Sequence, residues 1–93
     1  MKEIWKRVVP IAGAGSFTLT IPENAQFLTC QLQGKMPVLW AVVRPTAKER
    51  EYKFHVFETC EQFEHYDDLT YIGTFQIKGG FVGHLFVQGA VKL

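Results

Sequence analysis

The chain has 93 residues, of which 47% are hydrophobic and 20% charged, and its formal net charge is +1. This length accommodates one domain with one core, and the composition is that of a globular protein rather than a disordered one. A net charge this close to zero selects neither a nucleic-acid ligand nor an acidic nucleic-acid mimic as the function. We therefore expect a single domain over residues 1–93.

Cysteine usage and hydropathy indicate the compartment. The two cysteines, Cys30 and Cys60, are too few for a disulfide scaffold. No apolar run follows Met1-Lys2-Glu3, and no apolar stretch approaches the ~18–20 residues that a membrane helix needs. These features predict a cytoplasmic protein whose thiols are reduced.

Alternation of apolar and polar residues predicts the elements in the first half of the chain. The first strand, 3–9, mixes apolar and charged side chains on both faces, which is typical of an edge strand. Trp5 on this edge suggests a surface for homodimer formation. Phe17, Leu19 and Ile21 alternate with polar residues in a second strand, 16–21.

The next two predicted strands, 26–33 and 36–44, are separated by a turn at Gln33-Gly34-Lys35. The run from Val38 to Val43 is continuously apolar and rich in β-branched residues. This pattern predicts a central strand that is covered on both faces, with Trp40 buried in it.

The second half of the chain repeats the strand pattern. Tyr52 and Phe54 share the apolar face of a strand over 51–58, and two further strands follow over 69–78 and 81–88. Between them, Thr59 and Gln62 have the spacing of a capping box, which would begin a short helix.

These elements together predict the fold class. We expect an all-β domain of about seven short, mainly antiparallel strands, arranged in a compact sandwich or a partly open barrel. At most one short helix is expected, near residues 60–66.

No arrangement of residues in the sequence indicates catalysis. Cys60 and His65 are close in sequence, but no nucleophile elbow accompanies them. The acidic residues near His65 lack calcium-loop spacing, and the cysteines lack zinc-site spacing. We therefore predict no catalytic residue, no metal ligand and no cofactor, hence no enzyme. The basic run 44–53 is diluted by glutamates, so nucleic acid is not the expected ligand.

The segment after the fifth strand is the predicted partner-binding region. Residues 58–68 contain five acidic side chains and no Lys or Arg, together with aromatic residues. Interfaces use aromatic side chains as anchors, and an acidic rim favours a basic partner. The same rings could instead fold back over the end of the sheet. The candidate partner-binding residues are Glu61, Phe63, Glu64, His65, Tyr66 and Asp67.

Three stretches resemble a family of small proteins that tailed bacteriophages and prophages encode, catalogued as a domain of unknown function. They are Glu3-Ile4-Trp5-Lys6, the run Met36–Val43 after Gln33-Gly34, and Tyr71-Ile72-Gly73-Thr74-Phe75-Gln76 followed by Gly79-Gly80. The chain departs from the family where Glu58-Thr59-Cys60 replaces a Gly-Thr-Gly and an acidic insertion follows. We expect the partner to differ from that of the relatives at this point.

The resemblance implies a small accessory phage protein in the host bacterial cytoplasm and supplies no active site. By analogy, such a protein binds a host protein, including components of antiviral defence systems, and inhibits it without catalysis. Two other functions remain open: an oligomeric module that binds a small nucleotide-like ligand between protomers, and a minor structural protein of the virion.

Overall fold

The computed structural model describes residues 1–11, 13–64 and 68–89 and contains seven strands. Every predicted strand is confirmed, with bounds that differ by at most two residues. The strands are β1 (Glu3–Val8), β2 (Gly15–Pro22), β3 (Gln26–Gln33), β4 (Met36–Val43), β5 (Glu49–Glu58), β6 (Leu69–Ile77) and β7 (Phe81–Gln88).

The strands form two sheets. A three-stranded sheet has the order β1-β4-β3, and a four-stranded sheet has the order β2-β5-β7-β6, with every pairing antiparallel. The sheets do not close into a barrel, so of the two predicted architectures the domain adopts the sandwich. β1 lies at a sheet edge, as its mixed faces predicted. The optional helix near 60–66 is not formed in the part of it that the structure describes, residues 60–64.

The inner faces of both sheets bury one core. Phe54 of β5 is fully buried at its centre, stacked on Phe17 at a centroid distance of 5.1 Å and edge-on to Phe27 at 5.5 Å. Tyr52 is buried on the same face, which confirms the face that the alternation predicted. Rings of this size supply much of the apolar area that a small domain must bury.

The sheets meet most closely where β6 crosses β3. A Cβ atom built on Gly73 would lie 2.7 Å from the backbone nitrogen and 2.9 Å from the backbone oxygen of Cys30. Only glycine fits at such a separation, because backbone atoms cannot move aside as a flexible side chain can. Gly73 therefore sets how closely the two sheets approach.

A β-bulge interrupts each of these two strands, between Phe27 and Thr29 in β3 and between Tyr71 and Gly73 in β6. A bulge adds one residue and so reverses the face on which the later residues of the strand lie. Simple alternation places Tyr71 on the same face as Gly73. In the structure Gly73 faces the core while Tyr71 points outward and is 52% exposed, so the face that alternation predicts for Tyr71 is wrong.

The apolar run of β4 also needs a correction. β4 is the central strand of its sheet, as predicted, and Leu39, Ala41 and Val43 face the core. Trp40 points to the opposite, outward face and is only partly buried, so the prediction that Trp40 is buried is wrong. Val38 on the same face is 2% exposed, so that face is covered in part. The run is continuous because the outward-facing residues of β4 itself, among them Val38 and Trp40, are also apolar.

Candidate protein-interaction site

The outward face of the four-stranded sheet carries a continuous group of rings, which we call the aromatic face. Phe57 stacks on Phe63 with centroids 3.9 Å apart and meets Phe86 edge-on at 5.6 Å. Tyr71 contacts Phe86 from the other side at 5.5 Å. His55 stacks against Phe57 at 5.9 Å and completes the group.

The aromatic face has a buried ring next to the sheet and exposed rings toward solvent. Phe86 is 7% exposed, whereas Phe63 is 38% and Tyr71 52% exposed. The sequence left open whether the rings of the acidic segment are free for a partner or fold back over the sheet. Phe63 folds back onto Phe57 and still keeps part of its ring accessible. Rings held by neighbours lose little freedom when a partner binds, which favours an interface.

A chain of side-chain hydrogen bonds borders these rings. The hydroxyls of Tyr71 and Thr74 are 2.5 Å apart, and Thr74 Oγ1 lies 3.0 Å from Nδ1 of His84. Nε2 of His84 lies 2.8 Å from Oγ1 of Thr59. Neutral imidazole donates from one nitrogen and accepts at the other, and a hydroxyl can play either role, so the ring orientation is fixed on both sides.

These hydrogen bonds hold the side chains in place and do not activate a hydroxyl as a nucleophile. A hydroxyl nucleophile needs a base that takes its proton, and the positive charge formed on that base must be stabilised. In the serine protease triad a buried carboxylate stabilises it. The group beyond His84 is the uncharged hydroxyl of Thr74. The arrangement instead fastens the turn after β5 to the sheet.

That turn differs from the capping box expected there. Thr59 bonds with His84, and the backbone NH of Glu58 donates to Oε1 of Glu61 over 2.8 Å. The NH of Glu61 donates in return to the carbonyl oxygen of Glu58. Cys60 has a positive φ of 74°, an uncommon conformation for a residue with a side chain, and the reciprocal bonds hold it there.

Carboxylates form one rim of the aromatic face. Glu58, Glu61, Glu64 and Asp68 are all exposed, and the sequence from Phe54 to Ile77 contains no Lys or Arg. Glu64 and Asp68 help to line a hollow of about 330 Å³ together with His55, Phe57, Leu69 and Gln88. His55 is fixed there by a contact of 2.7 Å between its Nε2 and Oε1 of Gln88.

The structure places three of the predicted partner-binding residues, Glu61, Phe63 and Glu64, at the aromatic face. The other three, His65, Tyr66 and Asp67, lie outside the described residues. The sequence analysis missed Tyr71 and the hydrogen-bonded His84, because the bulge in β6 conceals that Tyr71 and Thr74 share a face. The alternation of His55 and Phe57 in β5 was the signal that could have indicated the cluster.

The two cysteines lie in contrasting places. Cys30 is buried in β3, where burial raises the pKa of its thiol to about 11, so the thiol stays protonated and unreactive at neutral pH. Cys60 is exposed in the turn beside the aromatic face, and both thiols are free. Among residues 1–11, 13–64 and 68–89, no three His, Cys, Asp or Glu side chains converge as metal ligands do.

Comparison with known families gives one result. Residues 1–92 match a family described as Domain of unknown function (DUF7352). The chain belongs to the DUF7352 family. No curated protein and no solved structure matches it significantly.

The family match covers residues 1–92 and assigns no activity. The matched range contains both sheets and the acidic segment, so the aromatic face and its rim belong to the DUF7352 domain itself. In the described part of this DUF7352 domain, no helix is long and apolar enough to cross a membrane.

Proposed function

We propose that this DUF7352 domain is a non-enzymatic binding protein that attaches to a basic protein surface through its aromatic face. The observation that carries the proposal is the combination of fixed, exposed rings with a one-sided acidic rim. Tyr71 and Phe63 offer apolar contact area, and the carboxylates repel acidic competitors while they attract cationic side chains.

The geometry favours a protein partner over nucleic acid. Four exposed carboxylates on one side of the rings oppose the approach of phosphates. In the basic run 44–53, Arg50 lies over the ring of Tyr52 at 4.5 Å, but that ring is buried and cannot stack on a base. The hollow between His55, Glu64 and Asp68 is bordered by two carboxylates, which suit a lysine or arginine side chain of a partner.

The class of partner is suggested by the resemblance to phage proteins. We propose that it is a host bacterial protein in the cytoplasm and that binding inhibits it, with antiviral defence components as the first class to test. By the resemblance, the chain departs from its relatives in the acidic segment, whose Glu61 and Glu64 lie at the rim of the aromatic face. This segment would therefore determine which host protein is bound.

The experiment begins with affinity capture from a bacterial lysate on the wild-type domain and on a Tyr71→Ala variant. A partner of the aromatic face is retained by the wild type and lost from the variant, because the exposed ring is removed while Phe86 below it stays. A lysate that yields no protein distinguishing the two forms would contradict the proposal.

Charge reversal then tests the rim with the captured partner. Glu64→Lys with Asp68→Lys should slow association about tenfold at low salt and flatten its salt dependence, since exposed charges steer encounter and are screened by salt. The matched control is Glu49→Lys with Glu51→Lys, which changes net charge equally at the start of β5. Equal association rates for the two double variants would place the interface elsewhere.

A further inference from the structure

A cleft of about 730 Å³ opens between the two sheets at one end of the sandwich. It lies where β3 and β6 begin and where β4 and β7 end. Phe27, Val43, Ile72 and Val87 line its apolar interior, and the side chains of Lys2 and Arg44 are on its rim. Its volume is in the range of small-molecule sites, and an apolar interior with few polar groups is typical of them.

The cleft results from the way the sheets are joined. Ile72 directly precedes Gly73, the point where β6 meets the backbone of Cys30, and Phe27 lies three residues before Cys30. Both strands carry their bulge on the cleft side of this contact. Bulges bend strands and redirect side chains, and they are frequent beside binding sites. β3 and β6 are therefore in close contact at Cys30 and Gly73, and the bulges change the course of both strands on the cleft side of that contact.

Hydrogen bonds hold the wall of the cleft in place. The buried hydroxyl of Tyr52 receives a bond from the NH of Ala25 and donates to the carbonyl of Pro22, each at 3.3 Å. The NH of Glu23 donates to the carbonyl of Lys48 over 2.8 Å, which ties the β2–β3 turn to the β4–β5 loop. A wall that is already ordered costs little to organise when a ligand enters.

The charges around the cleft indicate the ligand. Lys2 and Arg44 are both exposed, and in the part of the chain that the structure describes neither forms an ion pair. Glu23 is the one acidic side chain among the lining residues. Two cations beside an apolar interior suit a single anionic group carried on an apolar body.

We propose that this cleft binds a small amphiphilic anion, with its carboxylate or phosphate at Lys2 and Arg44 and its apolar part against Phe27 and Ile72. Tyr71 of the aromatic face also lines the cleft, but the proposal does not rest on the aromatic face, because it is argued from the space between the sheets and from cations rather than carboxylates. The headgroup could be either anion, so the test uses both.

The first measurement titrates the intact domain with octanoate, octyl phosphate and neutral 1-octanol, observed by amide NMR. The anions should shift the amide signals of Ala25, Ala47 and Ile72 in a saturable way, and 1-octanol should bind about tenfold more weakly. Equal affinity for 1-octanol, or shifts confined to the outward faces of the sheets, would overturn the proposal.

Variants separate this site from general attraction of anions. Lys2→Glu with Arg44→Glu should weaken octanoate binding about tenfold. Lys35→Glu with Lys78→Glu, in the turns at the opposite end, has the same net charge and should bind as the wild type does. Ala47→Phe fills the partly exposed wall without altering charge and should also abolish saturable binding. Retained affinity in both the first double variant and Ala47→Phe would overturn the proposal.

Discussion

The outward faces of the two sheets share a strand pattern and differ in chemistry. The three-stranded sheet presents Ile4, Val8, Met36 and Trp40, whereas the four-stranded sheet presents the aromatic face with its hydroxyls, imidazoles and carboxylates. On the first sheet, Nζ of Lys6 reaches across to Oε1 of Gln33 over 2.8 Å, and Val38, on the strand between them, is 2% exposed. The long polar side chains thus cover part of the apolar surface of this sheet. Exposed apolar residues alone therefore do not indicate a binding site there. On the second sheet, fixed rings and polar anchors coincide, which is the stronger indication.

Both faces keep their positions only while the sheets remain seated on each other, so Gly73→Ala should disturb both. The added methyl group would lie 2.7 Å from the backbone nitrogen of Cys30, and we expect a loss of about 3 kcal/mol in the free energy of unfolding. Denaturant unfolding measures it. Gly13→Ala, where a Cβ meets nothing within 4 Å, is the control and should change stability by less than ~0.5 kcal/mol. Equal midpoints for the two variants would show that the sheets can separate freely at Gly73.

Truncating one ring on each face sharpens the contrast. Phe57→Ala removes contacts with His55, Phe63 and Phe86, and we expect a cost of about 2–3 kcal/mol. Trp40→Ala should cost less, about 1–2 kcal/mol, because the ring is partly exposed and no ring contact fixes it among the described residues. The same unfolding measurement compares them. A larger loss for Trp40→Ala would mean that the three-stranded sheet has the better packed outward face.

The strands were predictable from sequence because alternation and turn residues are local signals. Gly79-Gly80 and Gln33-Gly34 mark turns whatever the rest of the chain does, and all seven strands occur where they were expected. The direction in which side chains point was less predictable. One bulge turns Tyr71 outward, and Trp40 lies on the outward face of β4, where it is partly exposed.

The candidate site was predictable only in its acidic half. Clustered glutamates and Phe63 are neighbours in sequence, so composition alone brings them together. Thr59, Thr74 and His84 come from three separate parts of the chain, and they meet because β6 pairs with β7 and β7 with β5. No local pattern encodes such pairings, which depend on the register of the whole sheet.

The core between the two sheets contains one thiol, that of Cys30, whose pKa is shifted by burial. The pKa of Cys30 is about 11 in the fold and has an ordinary value of 9.0, so folding favours the protonated thiol. This contribution is complete below pH 9 and is lost as the pH rises from 9 to about 11, by about 2 kcal/mol. The free energies of unfolding of the wild type and Cys30→Ala should therefore converge over that interval. Curves for the wild type and Cys30→Ala that stay parallel over this interval would refute the assignment.

The smallest expected effect concerns the hydroxyl that fastens the turn after β5 to the aromatic face. Thr59→Val keeps the shape of the side chain and removes the partner of Nε2 in His84, so we expect a loss of up to about 1 kcal/mol in the free energy of unfolding. Thr18→Val, on the outward face of β2 in the same sheet, is the matched control and should be neutral or slightly stabilising.

Stability alone would not show that the hydroxyl orients the imidazole, so the ring nitrogens of His84 are observed directly by nitrogen-15 NMR. In the wild type, hydroxyls on both sides hold the ring, and each nitrogen should show the shift of a hydrogen-bonded site. In Thr59→Val the Nε2 signal should move toward that of a water-exposed nitrogen while His55, held by Gln88, stays unchanged. The ring signals of Phe63 should shift with it, because the turn that carries Phe63 onto Phe57 is attached to the sheet through Thr59. Unchanged His84 signals would mean that water replaces the hydroxyl without consequence, and the stacking of Phe57 and Phe63 would then be what holds the acidic rim against the aromatic face.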